Sequence, residues 1–181
     1  LPTGEVEALD PLVQWCLHAG RQALDGLEDV EASRAGLILG NLSYPTAEMA
    51  AHAERVWLGE ELADAAGVPR AGAQSRFMSG LPAHLVAQGL GLSGQAWALD
   101  AACASSLYAI KMACEQLQDG SADLMLAGAV SCADDLFIHV GFCALKALSV
   151  RGESRPFHAG ADGLAHLRVE LLPRRGLRNV H

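Results

Sequence analysis

Two short apolar runs, Ala96 to Leu99 (AWAL) and Leu124 to Val130 (LMLAGAV), bracket a stretch with helical spacing from about Ala104 to Gln118, closed by Gly120. Apolar runs of this length are too short for helices and suit strands buried on both faces. A strand, a helix and a second strand joined by short links make a βαβ unit, whose parallel strands must be covered by helices. Composition agrees: the hydrophobic share is 51% with only 5% aromatic residues, the palette of packed helices and buried parallel strands rather than of a β-sandwich. The chain of 181 residues reads as one α/β layered unit.

The remaining elements follow from caps and periodicity. Asp10 caps and Pro11 opens a helix on which Leu12, Trp15, Cys16, Ala19 and Ala23 recur at helical spacing, ending near Gly26. Ala35 to Leu39 is a buried strand closed by Gly40-Asn41. Thr46 to Ala65, carrying Met49, Val56, Leu58 and Leu62, reads as a helix or helical pair that stops at Gly67-Val68-Pro69. Pro82 to Leu90 is a shorter helix, with Gly89 and Gly91 available for its left-handed end. On the helix of the βαβ unit, Leu107, Ile110, Cys114 and Leu117 mark the expected buried face, while Lys111, Glu115 and Gln118 point elsewhere. Arg151 to Gly163 is the most loop-like stretch.

Charge and cysteine usage exclude several classes. A formal net charge of -8, from 21 acidic and 13 basic residues, disfavours nucleic acid, which needs clustered Lys and Arg. The basic cluster from Arg168 to Arg178 reads as a solvated tail. The five cysteines, Cys16, Cys103, Cys114, Cys132 and Cys143, contain no C-x-x-C pair, so neither a metal site nor a disulfide framework is signalled, and reduced thiols in the cytoplasm are the expectation. No apolar run is long enough to cross a bilayer and no export signal is seen, so no membrane association is expected.

The chemistry concentrates in Asp100-Ala101-Ala102-Cys103-Ala104-Ser105-Ser106-Leu107, where a strand turns into a helix. A helix N-terminus presents free N–H groups and partial positive charge, which favour a thiolate. Ala102 and Ala104 would let a substrate carbonyl come close, and the Cys103 N–H could meet a developing oxyanion. Ser105 and Ser106 sit where hydroxyls satisfy free amides. Taken alone, a cysteine between alanines reads as a small core hydrophobe, and Cys16, Cys114, Cys132 and Cys143 keep that reading.

The stretch Leu99 to Ser131, LDAACASSLYAIKMACEQLQDGSADLMLAGAVS, resembles the active-site signature of β-ketoacyl synthases (ketosynthases), D-T-A-C-S-S-S-L followed by a helix, a turn with Asp and a Gly-bearing strand. Ala147-Leu148-Ser149 and the run from Ser154-Arg155-Pro156-Phe157 through Ala161-Asp162-Gly163 are similar to the family's A-L-S-P and R-P-F-D-A-x-A-D-G segments. Gly40-Asn41-Leu42-Ser43-Tyr44-Pro45 looks most like ketosynthases of polyunsaturated fatty acid and iterative polyketide synthases. The resemblance covers Asp10 to about Leu164, so residues 1–164 are expected to be a ketosynthase N-terminal region and 165–181 a non-matching tail.

This resemblance implies a thiolase-like layered α/β fold, present as its N-terminal half only. It implies an acyl carrier protein partner bearing a phosphopantetheine arm, no directly bound cofactor, and a homodimer in the intact domain. Cys103 carries over as the residue that accepts an acyl group as a thioester, in a decarboxylative Claisen condensation that elongates a fatty acid or polyketide chain. The family's two histidine motifs, H-G-T-G and G-H-x-x-G, do not occur in this sequence. His139, His158, His166 and His181 follow Cys103 without matching flanks and read as surface or loop residues, and His158 stands where the family usually has Asp. Two origins for the divergent tail are expected: an incomplete or misjoined copy of a longer protein, or a half-domain that works with a partner. A non-catalytic ketosynthase-like module that docks a carrier protein is the alternative function.

Overall fold

The computed structural model describes residues 6–7, 9–27, 30–42, 46–70, 79–131 and 136–165, and the chain divides into two compact units, 1–133 and 134–181. In the first unit the order is α1 (Pro11–Leu24), β1 (Ala35–Gly40), α2 (Ala47–Leu58), α3 (Glu60–Ala65), α4 (Leu81–Leu90), β2 (Ala96–Leu99), α5 (Ser105–Gln118) and β3 (Leu124–Ala129). The strands form a parallel sheet in the order β2-β1-β3, with Leu37 beside Ala96 on one side and beside Leu126 on the other. The βαβ unit therefore exists, but its two strands flank β1 rather than each other.

Central position explains why β1 is buried at every residue. Its side chains alternate between two cores. Leu37 and Leu39 pack with Leu12, Val13 and Leu17 of α1 and with Ala83, Val86 and Ala87 of α4. Ile38 faces the other way, onto Ala109 and Ala113 of α5, with Trp97, Met112 and Met125 around them. Helices thus cover both faces of the sheet, as an apolar parallel strand requires.

The Asp10 cap appears where the sequence places it, and the structure adds a second at Thr46. Asp10 Oδ1 accepts from the Leu12 N–H at 2.9 Å with Pro11 at the first helical position, and Thr46 Oγ1 accepts from the Met49 N–H at 3.2 Å. The segment expected as a helix or helical pair is a pair, split at Gly59, whose φ of 79° is open to glycine and strained for other residues. Gly91, at φ 74°, ends α4 in the left-handed conformation.

One expected face is half right and another is wrong. On α1, Leu12 is buried and Cys16 packs against the core as the spacing suggests, beside buried Val13, Leu17 and Gly20, whereas Trp15 is half exposed and Ala19 and Ala23 are exposed. On α5 the helix meets the sheet through Ser105, Ala109 and Ala113, and the predicted stripe lies outside: Leu107 is 70% exposed, Ile110 49% and Leu117 42%, with Cys114 exposed as well. Small residues bring the α5 backbone close to the sheet, while the large apolar residues form a second stripe turned away from it. A period of 3.6 residues identifies stripes but not which one faces the sheet. Cys114 accordingly loses its reading as a core hydrophobe.

Ion pairs fasten the periphery. Arg34 donates to both carboxylate oxygens of Asp123, at 2.6 and 2.7 Å, and to the Gly120 carbonyl at 2.8 Å, pinning the α5–β3 turn to the start of β1. That hydrogen bonding holds the Asp123 carboxyl below its ordinary range. Arg55, only 5% exposed, bonds the Val68 carbonyl at 2.7 Å, Glu60, and Asp64 at 2.6 Å, tying α2 to α3 and the following loop. Hydrogen bonds from Arg55 lower both the Glu60 and Asp64 carboxyl values, with smaller help from the Arg70 charge.

The second unit holds α6 (Leu136–Ala144) and a loop region closed by a parallel bridge between Leu148 and Leu164. Among the described residues no helix is long and apolar enough to cross a membrane.

This packing has measurable consequences. Ala113→Leu should cost about 1–3 kcal/mol in urea unfolding through overpacking, whereas Leu107→Ala should change stability by less than about 0.5 kcal/mol. The opposite ranking would return the buried face to the large residues. Carboxylates whose folded values are lowered stabilise the protein above about pH 4 and lose that contribution as pH falls through the folded values. Arg55→Leu should therefore lower the melting temperature by several degrees at neutral pH, and the gap from wild type should close on acidification below that point.

Candidate active site

The carboxyl ends of the three parallel strands lie side by side, and the hydrogen bonding continues one residue past β1 on one flank and one residue past β3 on the other. The Asn41 N–H donates to the Leu99 carbonyl at 2.9 Å, and the Val130 N–H donates to the Gly40 carbonyl at 2.9 Å. In open α/β sheets this edge is where ligands bind. A cleft of about 360 Å³ opens here, with walls from Gly40, Asn41 and Leu42 after β1, from Ala102, Cys103, Ser105 and Ser106, and from Ala129, Val130 and Ser131 after β3. That volume is at the lower end of small-molecule sites.

Cys103 is exposed on this cleft. It sits at the strand-to-helix junction expected from the sequence, within a single 3-10 turn, Ala102–Ala104, placed between β2 and α5. The turn begins from an unusual backbone: Ala102 has φ 49°, a left-handed conformation that costs a non-glycine residue about 1–2 kcal/mol. Two side chains brace it. Asp100 Oδ1 accepts from the Ala102 N–H at 2.9 Å. Ser105 Oγ accepts from the Ala101 N–H at 2.9 Å and donates to the Ala102 carbonyl at 2.8 Å. Among the described residues nothing accepts from the Cys103 N–H, so that donor remains beside its own sulfur.

Asn41 carries no chemical signal in the sequence, yet the structure places it on the cleft. It is 3% exposed, its Nδ2 donates to the Leu42 and Ser79 carbonyls at 2.9 and 3.1 Å, and its Oδ1 is buried without a donor among the described residues. The two carbonyl acceptors fix which end of the amide is nitrogen. Nothing in a single sequence distinguishes such an asparagine from a turn residue.

Of the other named residues, Cys16 is partly buried on α1 against the core, and Cys143 is exposed on α6. Cys132, His166, His181, Ser43, Tyr44 and Pro45 lie outside the described residues, as does the tail beyond Ala165. His139 is exposed on α6, and His158 Nδ1 accepts from the Gly160 N–H at 2.9 Å in an exposed loop of the second unit. Within that unit the two resembling segments meet: Ser149 Oγ donates to Asp162 Oδ1 at 2.7 Å, and this bond, with the Arg151 charge 3.3 Å from Oδ2, lowers the Asp162 carboxyl value. Among the described residues no group of three or more His, Cys, Asp or Glu is arranged to hold a metal ion.

Comparison with known proteins places this geometry in a family. Residues 1–166 match the family described as beta-ketoacyl synthase, N-terminal domain. The chain is 32% identical over 167 residues to one component of the polyunsaturated fatty acid synthase of Thraustochytrium sp., a match covering 82% of this chain and 8% of that protein. Its fold is similar to a beta-ketoacyl synthase from Burkholderia phymatum, with a TM-score of 0.67 and 23% identity over 91% of this chain and 41% of that one. It is also similar to the oxazolomycin ketosynthase domain OzmH KS7 of Streptomyces albus, with a TM-score of 0.62 and 26% identity over 88% of this chain and 27% of that one. The chain belongs to the β-ketoacyl synthase family, and it carries the N-terminal half of that family's thiolase-like fold. It spans under half of the ketosynthase structure it resembles and about a twelfth of the fatty acid synthase component.

Exposure orders the thiols. Iodoacetamide should modify Cys103 well before the partly buried Cys16, followed by peptide mass spectrometry. Modification of Cys16 first would contradict the placement of the turn.

Proposed function

We propose that this chain supplies the acyl-accepting half of a ketosynthase, with Cys103 as the nucleophile. The observation that carries the reading is the exposed sulfur on a braced turn at the carboxyl edge of the sheet, beside an N–H without an acceptor among the described residues. The substrate is an acyl thioester on the phosphopantetheine arm of an acyl carrier protein, in keeping with membership of the family and likeness to a component of a fatty acid synthase.

The step balances as a thioester exchange. The Cys103 thiolate attacks the acyl carbonyl, and a C–S bond forms as the carbonyl oxygen takes negative charge near the Cys103 N–H. The bond to the pantetheine sulfur then breaks, and the departing thiolate recovers the proton that Cys103 gave up. In the whole synthase a malonyl-derived carbanion attacks the new thioester, carbon dioxide leaves, and the thiolate of Cys103 is released. That second half belongs to the intact domain, which works as a homodimer, and this reading rests on the family. The same domain covers the outer stripe of α5, because a helix apolar on two sides is at home inside a larger body. The ketosynthase region takes in residues 1–164, in keeping with a family match that runs to residue 166.

A short-chain acyl-pantetheine thioester should leave an acyl adduct on Cys103, read by mass spectrometry, and Cys103→Ala should reduce labelling at that peptide to background. Equal labelling of both proteins defeats the proposal. Carrier-protein binding without acyl transfer would identify a docking module instead.

A further inference from the structure

Ser105 is the first residue of α5, 6% exposed, and its hydroxyl both accepts from and donates to the turn before it. It accepts from the N–H of Ala101 and donates to the carbonyl of Ala102, so one oxygen ties the Asp100–Ala101 peptide to the Ala102–Cys103 peptide, the one that carries the cysteine's own N–H. Between those bonds lies the left-handed Ala102, whose backbone would relax toward negative φ if released. Ser105 is itself held from below. A Cβ on Gly40 would lie 2.9 Å from both the carbonyl carbon and the Cβ of Ser105, so the first turn of α5 rests directly on the bare backbone at the end of β1. Strand, serine and strained turn form one continuous stack ending at Cys103.

We propose that Ser105 is a positioning residue for the nucleophile, seated on Gly40 and acting through the Ala101 and Ala102 peptides to aim Cys103 into the cleft. The inference rests on the reading of Cys103 as the acyl acceptor. Among the described residues the hydroxyl bonds to backbone groups of the turn and not to the sulfur. Its role is to keep the 3-10 turn in the one conformation that presents the sulfur and its own N–H to the same side, which decides how often a bound thioester meets the sulfur in a reactive geometry.

The test uses the full chain and compares wild type with Ser105→Ala and Ser105→Thr. The first readout is the rate of iodoacetamide modification at Cys103 relative to the exposed Cys114 of the same molecule, which needs no enzymatic activity. The second is single-turnover acyl loading from hexanoyl-pantetheine across a range of concentrations. Ser105→Ala should lower the modification ratio by at least ~3-fold and the maximal loading rate by ~10-fold, with the half-saturating concentration moved by less than ~2-fold, and Ser105→Thr should recover most of both losses. A modification ratio equal to wild type in Ser105→Ala overturns the inference. Should wild type fail to load while the ratio still falls in Ser105→Ala and recovers in Ser105→Thr, the acyl-acceptor reading fails and the positioning role stands. If Ser105→Ala does not fold, Gly40→Ala, which keeps the hydroxyl and displaces its seat, is read by the same ratio against the same threshold.

Discussion

The start of α5 lies directly against the bare backbone of Gly40, and the cleft-side turn that holds Cys103 is built on that contact. Any side chain at Gly40 would meet Ser105 at 2.9 Å, so the helix could not begin where it does and the turn before it would lose its support. Gly40 is also the last residue of the central strand, paired with Leu99 on one flank and Ala129 on the other. One residue therefore closes the sheet, seats the helix and lines the cleft.

The same logic of close approach runs along α5. Ser105, Ala109 and Ala113 recur every fourth position and let the helix lie against Ile38 at the middle of the sheet. A helix that spends its small residues on the sheet leaves its larger ones facing outward, and Leu107, Ile110 and Leu117 do so here. On the opposite face the large residues do the packing, with Leu12, Val13 and Leu17 of α1 set against Leu37 and Leu39. The two faces of one sheet are covered by different means, large side chains of α1 together with Ala83, Val86 and Ala87 of α4 on one and small residues of a single closely laid helix on the other. The close approach lies on the side of the turn that carries Cys103.

Most elements are legible in the sequence because they are short, capped and apolar. The runs AGLIL, AWAL and LMLAGAV are strands, Asp10-Pro11 opens a helix, and Gly59 and Gly91 take backbone conformations suited to glycine. The strand order is not legible, since nothing in Ala96 to Val130 says that β1 slips between the strands that flank α5. The faces of α1 and α5 mislead because hydrophobic size suggests burial, while on α5 the sheet selects for smallness. At the site, Cys103 and the hydroxyl of Ser105 can be found from the strand-to-helix junction and from the likeness to ketosynthases. The left-handed Ala102 cannot, because alanine gives no hint of such a backbone and the conformation is imposed by Asp100 and Ser105 on either side. Asn41 is equally silent, its burial being a property of the packed edge rather than of the residue type.

If the sulfur of Cys103 and its own N–H face one cleft at the carboxyl edge of the sheet, an acylated form of the protein must show it. A crystal structure obtained after acylation by a short-chain thioester is the decisive measurement. It should show an acyl group on Cys103 Sγ lying in the space between the ends of β1 and β3, its carbonyl oxygen within hydrogen-bond distance of the Cys103 N–H, with Ala102 still left-handed. An acyl group on another cysteine, or one on Cys103 directed away from that space over a relaxed turn, would contradict this arrangement.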